Sequence, residues 1–299
     1  MHNIILYCKS YAGDVQRVKK LKSSIEKYNR DNIPFYISCP KQDKQLFEDT
    51  LGKENYTLIL DEDIVILQNS KLDGWRSQQI VKSSIHKLKI TKNYLCLDSD
   101  AYFITDFYES DFIAKDDIPY TIIHENKEVS QYKKLFFNSN FSKGAYKETL
   151  DAYREVFGSE YKKLYDYGPN PYIWSCKVWE HFEENYLIPN NLTLEFFMIK
   201  MEVNSLTGVK NQSCQMREAI VYGEYLLNTQ LFEIIPTGPL FKVYHWKEMV
   251  DFEQKAGLFD EEKIKESYLG IIYQSKMFAS KHLCWHVCMT AVVGLLYFQ

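Results

Sequence analysis

A chain of 299 residues, 45% hydrophobic and 15% aromatic, carries enough apolar mass to bury a large core, which excludes a disordered polymer. Its 36 Lys and Arg stand against 40 Asp and Glu, a formal net charge of -4, so it presents no broad positive field and nucleic acid is not expected as a partner. Seven cysteines (Cys8, Cys39, Cys96, Cys176, Cys214, Cys284, Cys288) lie scattered, mostly inside apolar runs, and Met1 to Leu6 runs into Lys9 without the pattern of a secretory leader. Together these predict reduced thiols and a cytoplasmic protein.

Three short apolar runs, Asn3–Cys8, Pro34–Cys39 and Tyr56–Leu60, are bounded by polar or turn residues and read as buried strands. Between the first two, Asp14–Tyr28 carries Val15, Val18, Leu21 and Ile25 at helical spacing. The chain therefore opens strand, helix, strand, the order of a parallel sheet. After Gly74 the segment Trp75–Leu88 is again helical, with Ile80, Ser84 and Leu88 on one side, and leads to a fourth strand, Tyr94–Leu97, that ends at Asp98. Beyond Phe112 the pattern loosens. Tyr146–Tyr165 predicts a surface helix, Tyr167-Gly168-Pro169-Asn170-Pro171-Tyr172 an extended loop, and Ser175–Glu184 a further helix. Asn190–Leu227 reads as two helical pieces, and Phe232–Ile235 and Leu240–Tyr244 as short strands. There is no internal repeat and no low-complexity linker.

The run Tyr94-Leu95-Cys96-Leu97-Asp98-Ser99-Asp100 puts two carboxylates two residues apart at a strand end. In an extended chain, residues i and i+2 point to one side, so both oxygens would face one cation while Ser99 faces away. Hard ions such as Mg²⁺ or Mn²⁺ take such ligands, although the same pattern also occurs in turns whose side chains merely bond the backbone. A second acidic run, Asp61-Glu62-Asp63, follows Leu60 and reads either as another acidic site or, with more weight, as a solvated turn. With 12 glycines and no Gly-rich loop after the first strand, neither a P-loop nor a dinucleotide fingerprint is available, so metal and side chains would have to hold any phosphate.

The opening Cys8-Lys9-Ser10-Tyr11-Ala12-Gly13-Asp14, the helix Gly74-Trp75-Arg76-Ser77-Gln78-Gln79-Ile80-Val81-Lys82 and the strand end Leu97-Asp98-Ser99-Asp100 occur in this order and at similar spacing in a group of bacterial proteins. In these residues the chain resembles GT-A-type glycosyltransferases of poorly defined specificity, associated with surface polysaccharide synthesis. The likeness covers roughly the first 110 residues well and continues more thinly through Pro169-Asn170-Pro171, Glu218 to Gly223, and His245-Trp246. It implies an α/β fold with a GT-A-like, Rossmann-type nucleotide-sugar-binding sheet, helices on both faces and a mixed C-terminal acceptor region. Residues 1–110 would form the donor-binding half and residues 111–299 the acceptor-binding half with C-terminal helices, in one compact catalytic domain.

The implied activity is metal-dependent transfer of a sugar from a nucleotide-sugar donor to a bacterial cell-surface glycan, of lipopolysaccharide or capsule, with Mn²⁺ or Mg²⁺ as cofactor. The resemblance assigns Lys9, Ser10 and Asp14 to the nucleotide; Asp14 reads equally as a helix N-cap. It raises Gln79 and Lys82 from a polar helix face to donor contacts, and it makes His245 a third metal ligand beside Asp98 and Asp100, against a core histidine at equal weight. Lys242 would face the diphosphate or stand exposed on its strand. Glu218 takes the place of the catalytic base, with Glu224 as its rival and Ala219 where an aromatic is usual; Asp100 acts at the metal. Two alternatives remain: a sugar nucleotidyltransferase, which usually shows a Gly-rich basic loop after the first strand, and a non-catalytic glycan-binding protein on a transferase fold.

From Leu283 to Gln299 there is no Asp, Glu, Lys or Arg, yet the run falls short of the roughly 20 residues of a spanning helix. A core or interfacial helix is expected, resting either in the fold, in an oligomer contact, or on the inner membrane face where a lipid-linked acceptor waits. His282, Cys284, His286 and Cys288 alternate as zinc ligands do, but have no second pair at matching spacing.

Overall fold

The apolar runs at the start of the chain become a sheet whose strands His2–Lys9 and Thr91–Leu97 are buried on both faces, while Thr57–Leu60, expected to be buried, lies at the sheet edge and stays partly exposed. The computed structural model describes residues 1–69, 72–125, 141–202 and 217–274, and the C-terminal apolar run with its His and Cys residues lies outside them. In chain order the elements are β1 (His2–Lys9), α1 (Val15–Tyr28), β2 (Phe35–Cys39), α2 (Lys44–Leu51), β3 (Thr57–Leu60), α3 (Gly74–Ser83), β4 (Thr91–Leu97), β5 (Ala101–Phe103) and β6 (Tyr120–Ile122). There follow α4 (Phe141–Phe157), β7 (Tyr172–Ser175), α5 (Cys176–Phe182), α6 (Leu194–Glu202), α7 (Glu218–Thr229), β8 (Ile235–Thr237), β9 (Phe241–Tyr244), α8 (Lys247–Lys255) and β10 (Gly270–Tyr273).

The main sheet has the order β3-β2-β1-β4-β7, parallel throughout except for β7 against β4. Helices cover both faces. Ile5, Tyr7, Tyr94 and Cys96 pack with Ile80, Trp179 and Tyr222, while Ile4, Leu6, Leu95 and Leu97 pack with Val18, Leu21 and Phe47. Burial on two sides explains why β1 and β4 read as continuous apolar runs instead of alternating ones. A second sheet, β5-β10-β9, and a two-stranded pair, β6-β8, complete the α/β body. The later half of the chain supplies β7 to the first sheet and β9 and β10 to the second, so neither sheet belongs to one half alone.

Several boundaries differ from the sequence expectation. The helix expected over Tyr146–Tyr165 ends at Phe157, where Gly158 takes φ 66° and turns the chain out of the helix. Trp75–Leu88 divides into α3 and a tight turn at Ile85–Leu88 that closes with Lys89 at φ 54°. The expected loop 167–172 runs straight into β7 at Tyr172. Cys8, Cys39, Cys96 and Cys176 are free and buried. Among the described residues no helix is long and apolar enough to cross a membrane.

Candidate active site at the carboxyl ends of the parallel strands

β1 has β2 on one side and β4 on the other, and the connections leaving the two sides run in opposite directions. Such a reversal opens a crevice at the carboxyl ends of the strands, the usual ligand position in an open α/β sheet. Lys9 closes β1, Asp61 follows β3 and Asp98 follows β4, so three charged residues stand along this edge.

Strand alternation sends Tyr94, Cys96 and then Asp98 toward the face covered by α3 and α7. There Asp98 forms an ion pair with the ammonium of Lys82, which is only 3% exposed while the Asp98 side chain keeps 39%. Burial by itself would lower the pKa of Lys82, but the carboxylates of Asp98 and Glu218 and the Cys96 sulfur hold it above its ordinary value. Gln79, one turn before Lys82 and 1% exposed, accepts from the N–H of Glu218 at 3.2 Å. The polar side of α3 is therefore turned inward, onto β4 and the start of α7. Burial raises the pKa of Glu218 and the Lys82 charge partly offsets that rise. The phenol of Tyr172 lies within the electrostatic reach of Glu218, Asp98 and Lys82 together.

Lys9 and Asp61 form a second pair at 2.8 Å, and Lys9 also donates to the Ser10 carbonyl at 2.6 Å. Burial raises the pKa of Asp61, opposed by Lys9 and a bond from Ser38. The run Asp61-Glu62-Asp63 starts a single helical turn, Asp61–Ile64, and its first residue is mostly covered and paired with Lys9 rather than solvated. The signal that would have found it is positional, since Asp61 follows β3 directly as Asp98 follows β4. The Cys8 thiol, raised by burial, feels Asp98, Lys82, Lys9 and Asp100 at once, which places all four charges around the end of β1.

The acidic pair itself is not extended. The Ala101 N–H donates to the Asp98 carbonyl at 3.1 Å, closing a turn over residues 98–101, so the expected side-by-side presentation of Asp98 and Asp100 gives way to two settings. Ser99 donates to Asp14 at 2.9 Å, and Asp14 is also paired with Arg17. Asp14 occupies the N-cap position of α1, yet its side chain makes no cap bond; it faces the turn instead. Asp100 lines a cleft of 140 Å³ with Arg17, Lys20, Tyr102 and Tyr273, a cleft to which Asp98 does not contribute.

Register carries the late residues to the same edge. Ile272 pairs with Ala101 and Tyr273 with Tyr244, so Asp100 and Tyr244 flank Tyr273 and His245 comes next along the edge of the second sheet. Lys242 pairs with Glu253 of α8 at 3.2 Å, and Glu253 also accepts from Tyr244. Glu224, the rival to Glu218, is 0% exposed and held by Arg154 at 2.8 Å and by Tyr167 at 2.7 Å, which removes it from any contact with an acceptor. A cavity of 320 Å³ lined by His86, Lys92, Asp117 and Glu180 lies at the amino end of β4, the far end of the sheet from these groups.

The family model for DUF6492, a family of unknown function, matches residues 3–278. The chain belongs to that family. No curated protein matches it. Among solved structures, the apo form of mouse xyloside xylosyltransferase 1 aligns at 9% identity with a TM-score of 0.46, covering 92% of this chain and 98% of that one.

In this DUF6492 protein the residues expected to hold a hard cation, Asp98, Asp100 and His245, are oxygen and imidazole donors of the kind Mn²⁺ or Mg²⁺ takes, and the turn over residues 98–101 sets Asp98 apart from Asp100. Among the described residues no three His, Cys, Asp or Glu side chains are drawn together as a ready cage.

Proposed function

We propose that this protein is a glycosyltransferase that moves a sugar from a nucleotide-sugar donor to a glycan acceptor, with a bacterial cell-surface glycan as the acceptor class. The observation that carries the reading is the cluster Lys82, Asp98 and Glu218 at the crevice between the ends of β1 and β4. Lys9, Ser10 and Asp14 stand at the end of β1 and the start of α1, where the nucleoside would lie. Asp98, part-exposed at the crevice, would hold the divalent cation, and Asp100 and His245, which the structure does not draw up beside it, would have to turn toward it; when bound the ion neutralises charge that builds on the departing diphosphate. Lys82 keeps Asp98 in one orientation, and Gln79 fixes the first turn of α7 through the Glu218 amide.

Glu218 would act as the base. Its carboxylate takes the proton of an acceptor hydroxyl as that oxygen bonds the anomeric carbon and the bond to the diphosphate breaks, an inverting displacement. Because burial raises its pKa, the acidic limb of the rate profile should lie above the ordinary carboxylate range: Glu218 is active ionised, and activity falls as pH drops through the raised value. Glu218→Gln should reduce turnover on the order of a hundredfold with nucleotide affinity nearly unchanged.

The deciding experiment is a calorimetric screen of nucleoside diphosphates with and without Mn²⁺, repeated on Asp98→Asn/Asp100→Asn. Metal-dependent binding that the double variant loses supports the reading. Equal binding by the wild type and the variant removes the pair from the site.

A further inference from the structure

We infer that Asn170 is a positioning residue for the acidic turn, its side-chain amide standing in for the strand residue that β4 lacks at Asp98; the consequence for ligand binding rests on the proposed transfer reaction. β7 pairs with β4 from Asn93↔Ser175 to Cys96↔Tyr172 and goes no further. The next backbone groups on that edge are the Cys96 carbonyl and the Asp98 N–H. In the register of the pair Tyr172 stands opposite Cys96, and its continuation puts Pro171 opposite Leu97 and Asn170 opposite Asp98, with Pro171 and Pro169 on either side of Asn170 having no N–H to give. Asn170 lies between the two prolines and is buried. Its Nδ2 donates to the Cys96 carbonyl at 2.9 Å, and its Oδ1 accepts from the Asp98 N–H at 2.9 Å. A primary amide supplies one donor and one acceptor in a fixed fork; a carboxylate, hydroxyl or aliphatic group of this size cannot satisfy both partners with that geometry.

The segment carrying Asn170 is anchored at its other end to the helix that begins with Glu218. The Tyr167 ring lies so close over Gly223 that a Cβ there would stand 2.0 Å from it, and the Tyr167 hydroxyl donates to Glu224 at 2.7 Å. Arg154 holds the same carboxylate through two bonds of 2.8 Å. Residues 167–172 thus form a strap from α7 to the end of β4.

The test compares Asn170→Ala with Asn29→Ala. Asn29 makes the same kind of two-bond fork, to the N–H and carbonyl of Ile33, at the amino end of the sheet. Amide exchange by NMR should show the wild-type Asp98 N–H protected well beyond that of Ser99. Asn170→Ala should release it on the order of a hundredfold, with Tyr94 and Leu95 changed less than about threefold and Asn29→Ala without effect there. The affinity for UDP or GDP with Mn²⁺ should fall on the order of tenfold in Asn170→Ala and less than about twofold in Asn29→Ala. An unprotected Asp98 amide in the wild type, or equal affinity losses in the two variants, overturns the inference. A wild type that binds neither nucleotide sinks the transfer reading, while the exchange data still decide the placement of Asp98. Should Asn170→Ala fail to fold, Asn170→Asp keeps the oxygen facing the Asp98 N–H but loses the donor to Cys96. Wild-type nucleotide affinity in that variant overturns the role of the amide, and a tenfold loss supports it.

Discussion

Breaking the pair between Lys82 and Asp98 should cost unequally from its two sides, and a double-mutant cycle measures the inequality. Two unit charges about 4 Å apart at an effective dielectric of about 20 attract by about 4 kcal/mol. Asp98 keeps 39% of its side-chain surface, so water screens the pair and a coupling of about 2 kcal/mol is expected. Asp98→Asn strands an ammonium that is 3% exposed, with Glu218 the nearest remaining negative charge, and should cost about 2–3 kcal/mol. Lys82→Met keeps the apolar stem and leaves Asp98 to water, for a loss of about 1 kcal/mol. The double variant should then lie near 1–2 kcal/mol below wild type, well short of the sum. Urea unfolding of the four proteins at one pH gives all four values if the slopes agree. Additive losses within about 0.5 kcal/mol would show that Lys82 and Asp98 do not depend on each other, and the argument for a preset carboxylate would fail.

Gly223→Ala should destabilise by about 1–3 kcal/mol in the same unfolding assay, because the new methyl meets the Tyr167 ring at 2.0 Å and the strap must shift. Arg154→Met should cost about 3–5 kcal/mol by stranding Glu224 in the core, and adding Glu224→Gln should recover part of that loss; a milder effect of the single change would mean Glu224 is not sealed from water. Glu183, bonded by His86 and Lys87, has its pKa lowered to about 2. Its contribution is fully present above the ordinary carboxylate pKa of 4.5 and is lost as pH falls through about 2, so Glu183→Gln should cost roughly 1–2 kcal/mol at pH 7, after allowing for solvent screening, and only a small part of that at pH 2.

The long periodic segments were legible because periodicity needs length. β1, α1, β2 and β3 lie within a residue of where the apolar runs put them, and β4 ends where expected but starts three residues earlier, at Thr91. β5, β6 and β10 have three or four residues each and form only because partners from distant sequence pair with them, as Gly270–Ile272 does with Ala101–Phe103. No local pattern announces that. In the site, Gln79 and Lys82 gave the harder problem. On a helical wheel they form a polar side that would ordinarily face water, and only the arrival of Glu218 and Asp98 from 139 and 16 residues away turns it into a buried one. Asp61 was outweighed for the opposite reason: its neighbours Glu62 and Asp63 make the run look solvated, whereas the first residue alone turns in to Lys9.

The turn after β4 shows why two carboxylates at i and i+2 need not share one environment. Alternation carries Asp98 to the α3 and α7 face and Ser99 to Asp14 at the head of α1; once the Ala101 amide bonds back to Asp98, Asp100 swings to the cleft under Arg17 and Lys20. Asp98 thus faces Lys82, while Ser99 and Asp100 share the cleft lined by Arg17, which also pairs with the Asp14 that Ser99 bonds. A ligand lying along the crevice, with its nucleoside toward Lys9 and Asp14 and its sugar toward Glu218, would have to cross this turn with its charged middle. The same geometry makes the turn sensitive to its backbone. The Asp98 amide is fixed by Asn170 and the Asp98 carbonyl by Ala101, so both ends of this residue's backbone are held where the turn begins.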